Sequence, residues 1–197
     1  KIGELIMLAT NLQPFLMGIV VSVLVGIALT LPISSAAICA AFGLTGLAGG
    51  AAVAGCCAQM VGFAVMSFKE NRWGGLVSQG IGTSMLQMGN IIKNPRIWIA
   101  PIVTSAITGP MATCLFKLQM NGTPVSSGMG TCGFVGQIGV YSGWVNDIAN
   151  GTKAAITGFD WAGMILISFV LPAVLCPLIN MLLKKIGWVK DGDMKLS

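Results

Sequence analysis

Residues 5–68, LIMLATNLQPFLMGIVVSVLVGIALTLPISSAAICAAFGLTGLAGGAAVAGCCAQMVGFAVMSF, run for 64 consecutive positions without a charged side chain or a histidine. A water-soluble domain does not tolerate such a run. A helix of roughly 20 apolar residues crosses the ~30 Å hydrocarbon core of a bilayer, so the stretch suffices for two or three crossings. The rest of the chain agrees. Charged residues make up 9% of the sequence, against about 25% in ordinary globular proteins. Hydrophobic residues make up 55%, and the mean hydropathy is +0.86. The expected fold is therefore an all-α membrane protein: a polytopic helical bundle with broken or re-entrant Gly-rich segments. Barrel strands would alternate apolar and polar residues over about ten positions, and these segments are continuously apolar.

The 27 glycines fit a membrane bundle, where small residues let helix backbones approach closely. The six cysteines (Cys39, Cys56, Cys57, Cys114, Cys132, Cys176) lie in apolar or Gly-rich sequence without a C-x-x-C pair. With no histidine to complete a zinc set, they read as small apolar side chains, and no metal or cofactor is expected. The net charge of +5 reflects basic residues on the cytoplasmic side of a membrane protein and does not point to nucleic acid. The chain begins at Lys1 with no basic n-region and cleavage site, and it reads as a piece of a longer protein.

The expected spans are 14–32, 36–68, 97–116 and 161–183. The second is too long for one straight crossing at ~1.5 Å per residue and should bend or break near Gly49-Gly50. Residues 184–197 form a basic cytoplasmic tail. Lysines and arginines in short loops mark the cytoplasmic side. They cluster in 69–96 and in the tail, so an even number of crossings separates the two. Spans 97–116 and 161–183 already supply two. Residues 118–146, uncharged and glycine-laden, should therefore enter and leave on the outer side, and 73–92 should do the same from the cytoplasm. Non-helical backbone at membrane depth is tolerated only where protein buries it or a wet cavity meets it, which marks both pieces as functional. A weak repeat connects them: Gly80-Ile81-Gly82-Thr83-Ser84 and Gly128-Met129-Gly130-Thr131-Cys132 both read G-x-G-T-small. Paired Gly-interrupted apolar segments point to a transporter binding site.

No catalytic constellation is visible. Without histidine there is no Ser/His/Asp or Cys/His arrangement, and neither G-x-G-T stretch carries the lysine of a phosphate loop. No carboxylate sits mid-span, and Lys117 reads as a side chain that snorkels to the interface. The candidate ligands are neutral: Gln87, Asn90, Asn94, Asn121, Thr123 and Gln137, with Gly80, Gly82, Gly128 and Gly130 giving access to the backbone. Amides and hydroxyls in an apolar pocket suit a neutral polyhydroxylated solute, because they bind hydroxyls without desolvating an ion. The same groups also serve as helix–helix hydrogen bonds. Asn94-Pro95 should end one element and start the next helix.

From Gly82-Thr83-Ser84-Met85-Leu86-Gln87-Met88-Gly89-Asn90-Ile91-Ile92-Lys93-Asn94-Pro95, and from Asn121-Gly122-Thr123-Pro124 through Gly128-Met129-Gly130, the chain resembles a known family. These are the EIIC-type sugar phosphotransferase permeases grouped with the perfringolysin regulator PfoR. The likeness runs from Leu12 to about Leu183 and matches the C-terminal part of longer members. It implies a multi-pass protein of the bacterial plasma membrane, in contact with lipid, that binds a sugar-like small molecule as a homodimer. It also implies IIA and IIB phosphotransferase partners. A IIC component presents an external sugar to phosphorylated IIB, so with no histidine here the phosphoryl donor is another polypeptide. Better-understood IIC families place a Glu, often with a His, at the sugar. Its absence means either that the group lies in a missing N-terminal part or that this branch binds without phosphorylating. Two functions follow: a permease subunit, or a ligand sensor of the PfoR type that does not transport. A passive ion channel fits less well without charged rings.

Overall fold

The computed structural model describes residues 2–196, and these are mostly helical. In chain order the helices are α1 (Ile2–Leu12), α2 (Pro14–Thr30), α3 (Ser35–Phe42), α4 (Gly46–Met66), α5 (Phe68–Val77), α6 (Met88–Lys93), α7 (Pro95–Leu115), α8 (Pro124–Ser127), α9 (Val135–Ala149) and α10 (Gly158–Lys185). Three of them, α4, α7 and α10, are long and apolar enough to cross a membrane, and α2 is a shorter apolar helix. Large apolar side chains on α2 and α10 face outward, among them Leu24 at 61% and Leu182 at 58% exposure. Water would penalise that surface, and lipid does not.

The long helices pack through missing side chains. A methyl built on Gly55 of α4 would lie 1.8 Å from the Ser22 carbonyl oxygen of α2, and one on Gly109 of α7 would lie 2.3 Å from the Gly18 carbonyl oxygen. Ser22 Oγ donates to the Ser105 carbonyl at 2.8 Å, which joins α2 to α7 across the same contact. Gly62 of α4 sits against Cys176 Sγ of α10. Helix α4, nearly all buried, thus forms the axis around which α2, α7 and α10 are arranged.

Local sequence sets the helix ends. Asp160 Oδ2 accepts from the Thr157 amide at 2.8 Å and Thr157 Oγ1 accepts from the Asp160 amide at 3.3 Å, a reciprocal cap that starts α10. Pro14 and Pro95 occupy first turns, where a missing N–H is harmless. Asn94 Oδ1 accepts from the Arg96 amide at 3.2 Å and so caps α7. Wide π turns at Met111–Leu115 and Leu166–Val170 keep α7 and α10 continuous.

The uncharged run breaks earlier than Gly49-Gly50. The stop lies between α3 and α4, where Gly43 and Gly46 have φ of 62° and 61°, a region that side chains disfavour. Gly49 and Gly50 lie inside α4. Gly50 instead allows the Leu118 carbonyl to approach within 1.8 Å of where a methyl would be.

Two ends of the bundle can be named from contacts. At one, Gly46 and Met120 exchange backbone hydrogen bonds of 3.0 Å in both directions, and Phe116 stacks on Phe159 at 5.3 Å. This is the Asp147 end. The other, the Lys184 end, joins the close of α4, the start of α7 and the end of α10.

Candidate functional site

Two broken segments enter the bundle from these opposite ends. The first leaves the Lys184 end along α5, widens into a π turn at Ser78–Gly82, turns at Thr83 and climbs back through Ser84–Gln87 into α6. The second leaves the Asp147 end after Leu118, passes α8, makes left-handed turns at Gly130, Gly133 and Phe134, and returns along α9. Asn121 Nδ2 donates to Asp147 Oδ2 at 2.8 Å, so the second segment ends where it began.

The segments meet inside. Thr131 Oγ1 donates to the Gly80 carbonyl at 2.5 Å and lies 3.6 Å from Met60 Sδ on α4. The two G-x-G-T stretches are therefore in direct contact, one threonine against the other stretch's first glycine. Gly128 rests on the Ser35 carbonyl, where a methyl would be 2.5 Å away, and Ser35 Oγ donates to the Gly128 carbonyl at 2.6 Å. Gly80 is half-buried, Gly128 and Gly130 are buried, and Gly82 is exposed with open space beside it.

The six polar candidates fall in three places. Asn121 and Thr123 lie at the Asp147 end, where Thr123 pairs with Ser126 at 2.9 Å. Gln137 is buried near mid-bundle; its Nε2 donates to Ser168 Oγ at 3.0 Å and lies 3.3 Å from Cys57 Sγ, while its Oε1 has no partner among the described residues. Gln87 and Asn90 form part of an amide ladder at the Lys184 end, where Asn94 also lies. Gln79 Nε2 donates to Ser67 Oγ at 2.9 Å, Gln87 Nε2 to Gln79 Oε1 at 2.8 Å, and Asn90 Nδ2 to Gln87 Oε1 at 2.8 Å.

The ladder is capped by the chain's own tail. Gln87 and Asn90 donate to the Met194 and Lys195 carbonyls at 3.0 Å each, and Asn94 donates to the Trp188 carbonyl at 3.1 Å and to Asp193 Oδ2 at 2.8 Å. Both Glu70 carboxylate oxygens accept, from the Gly192 and Met194 amides, at 2.9 Å. Met194 is fully buried. The tail is thus folded back over the ladder as a strap. Lys184 pairs with Asp191 and, with a smaller contribution from Lys69, holds that carboxyl below the usual carboxylate range. Removing the Glu70 carboxylate (Glu70→Ala) takes away two bonds to a charged acceptor and, at about 1.5 kcal/mol each, should weaken docking by about 3 kcal/mol. Trypsin should then cut faster at Lys190 and Lys195. An unchanged cleavage rate would show that Glu70 does not hold the strap.

A second buried polar group escaped the sequence reading. Gln59 of α4 accepts at Oε1 from Trp98 Nε1 at 2.9 Å and Thr30 Oγ1 at 3.2 Å, and Thr30 Oγ1 lies 2.9 Å from Ser84 Oγ in the first broken segment. Its Nε2 is buried without a partner among the described residues. Its signal was in the sequence: it is the lone amide in the apolar stretch that became α4. Gln59 and Gln137 thus carry an unmatched donor and an unmatched acceptor near the meeting point, a costly state for buried groups. Among the described residues no cluster of His, Cys, Asp and Glu is suited to a metal.

A family profile described as "Phosphotransferase system, EIIC" matches residues 1–196. No curated protein and no solved structure matches the chain.

Proposed function

We infer, from the premise that this chain belongs to the phosphotransferase system, EIIC family, that it carries a sugar or similar neutral polar solute through the membrane between its two broken segments. Membership supports a permease-type role in that system and implies IIA and IIB proteins as partners. The observation that carries the solute path is the Thr131–Gly80 contact, where segments from opposite ends converge beside α4. Many secondary transporters bind their cargo where interrupted helices meet near the bilayer midplane.

In this reading Asn121 and Thr123 serve the solute at the Asp147 end, Gln137 and Gln59 at the centre, and Gln87, Asn90 and Asn94 at the Lys184 end when the strap that now holds them lifts away. Gly80, Gly82, Gly128 and Gly130 let backbone groups approach. The Lys184 end faces the cytoplasm, because Lys69, Arg72, Lys93, Arg96 and the tail lysines gather there. Assembly as a homodimer in lipid completes the reading. The buried polar groups are amides and hydroxyls, which favours a neutral solute over an ion.

Uptake of hexoses or hexitols into vesicles tests the assignment. Asn90→Leu together with Asn121→Leu should reduce uptake about a hundredfold, since each lost hydrogen bond of ~1.4 kcal/mol accounts for about tenfold. Undiminished uptake by the double variant would remove both residues from the path. Binding by the unaltered protein without uptake would favour the sensor.

A further inference from the structure

We propose that the cavity at the Asp147 end is a capture site for a neutral, hexose-sized hydroxylated solute, a step that rests on the permease reading and precedes the central path. The cavity measures about 550 Å³ and is lined by Phe116, Trp144 and Phe159 together with Lys117, Asp147 and Asp160. That volume lies in the usual range for small-molecule sites, which combine an apolar lining with a few oriented polar groups.

The aromatic residues here invite a simpler explanation. Tryptophan and tyrosine gather at membrane surfaces as an interfacial belt. That accounts for Tyr141 and Trp161, which are 45% and 42% exposed. It does not account for Trp144, which is 2% exposed, packs against Val53, Met120 and Met164 in the bundle core, and borders the cavity. Trp161 meets its ring edge-on at 5.6 Å, and Lys153 Nζ lies 5.8 Å from its centroid. Both contacts hold Trp144 in place.

The charges around the cavity balance. Lys153 pairs with Asp160 at 2.7 Å. Lys117 has no partner among the described residues, and its backbone is held at φ 46°, a strained setting for a lysine. Asp147 gives one oxygen to Asn121, and no described residue takes the other. Two cations and two carboxylates leave no net charge to select an ion. A free carboxylate oxygen accepts from hydroxyls, a free ammonium donates to hydroxyl oxygens, and the exposed Phe159 ring takes the C–H face of a sugar. These complementary groups face one space, and a neutral polyol satisfies all of them.

The test uses the protein in lipid nanodiscs with Trp73, Trp98, Trp161 and Trp188 changed to Phe, so that Trp144 alone reports. Titration with free hexoses and hexitols should change its emission saturably for at least one of them. Asp147→Asn and Lys117→Met should each move the midpoint about tenfold to higher concentration, and hexose 6-phosphates should bind more weakly. If the tryptophan substitutions disturb folding, equilibrium dialysis of labelled hexoses against the protein with all its tryptophans, with and without Asp147→Asn, gives the same comparison. A midpoint unmoved by either substitution overturns the site. So does a silent Trp144 in protein that still takes up a hexose, a result that leaves the permease reading intact. Neither binding nor uptake of any compound overturns both.

Discussion

Leucine in place of Gly55 should leave little folded protein, and what remains should melt far below the wild type. Its first side-chain carbon alone would fall 1.8 Å from the Ser22 carbonyl oxygen and 2.6 Å from the carbonyl carbon. A clash with a flexible side-chain tip relaxes; a clash with the backbone of a packed helix does not. Overpacking of ordinary cores costs about 1–3 kcal/mol, and here the alternative is to separate α2 from α4. That separation also opens the Ser22–Ser105 hydrogen bond, so α7 loosens with them. The expected result is aggregation on size-exclusion chromatography, or a melting temperature lowered by far more than that of Gly74→Ala, a site with nothing within 4 Å. Equal melting of the two variants would mean that α2 and α4 do not cross at this glycine.

Gly130→Val should abolish uptake while sparing most of the bundle. Gly130 has φ +54°, and a side chain there would meet the Cys56 Cβ at 2.6 Å and the Cys56 carbonyl carbon at 2.9 Å. Left-handed backbone costs an L-residue roughly 1–2 kcal/mol, and a β-branched residue bears it worst. The cheapest escape is for the second broken segment to lift away from α4, taking Thr131 off the Gly80 carbonyl. Uptake should fall more than about a hundredfold, with α2, α4 and α7 still packed. Thr131→Val, which keeps the shape and removes the hydroxyl, should lose about tenfold, the worth of ~1.4 kcal/mol. Wild-type uptake by Gly130→Val would show that the meeting of the segments is not on the solute's path.

Both predictions concern glycines, and glycine is where the sequence is hardest to read. The uncharged run made the membrane class plain, because no soluble packing accommodates it. Asn94-Pro95 is a local signal, and Asn94 does cap α7. A glycine's spelling does not tell whether it bends the chain or admits a neighbour. Gly43 does the first and Gly50 the second, and only the position of Leu118 separates them. The amides pose the same problem at the site. Gln87, Asn90 and Asn94 were of the right kind to bind hydroxyls, yet carbonyls of the strap hold them. The Asn71–Met194 bond that helps seat the strap spans 123 positions, and no local pattern announces a contact so distant. Gln59 was missed for the opposite reason: one neutral side chain in a long apolar run is easily absorbed into it.

The polar groups buried in this bundle are threonine, serine, glutamine and asparagine side chains, without a charged one among the described residues. An elementary charge moved through the membrane field exchanges about 2.3 kcal/mol per 100 mV, and that is how voltage comes to drive or stall a carrier. A rearrangement that shifts only amides and hydroxyls gives the field no such handle.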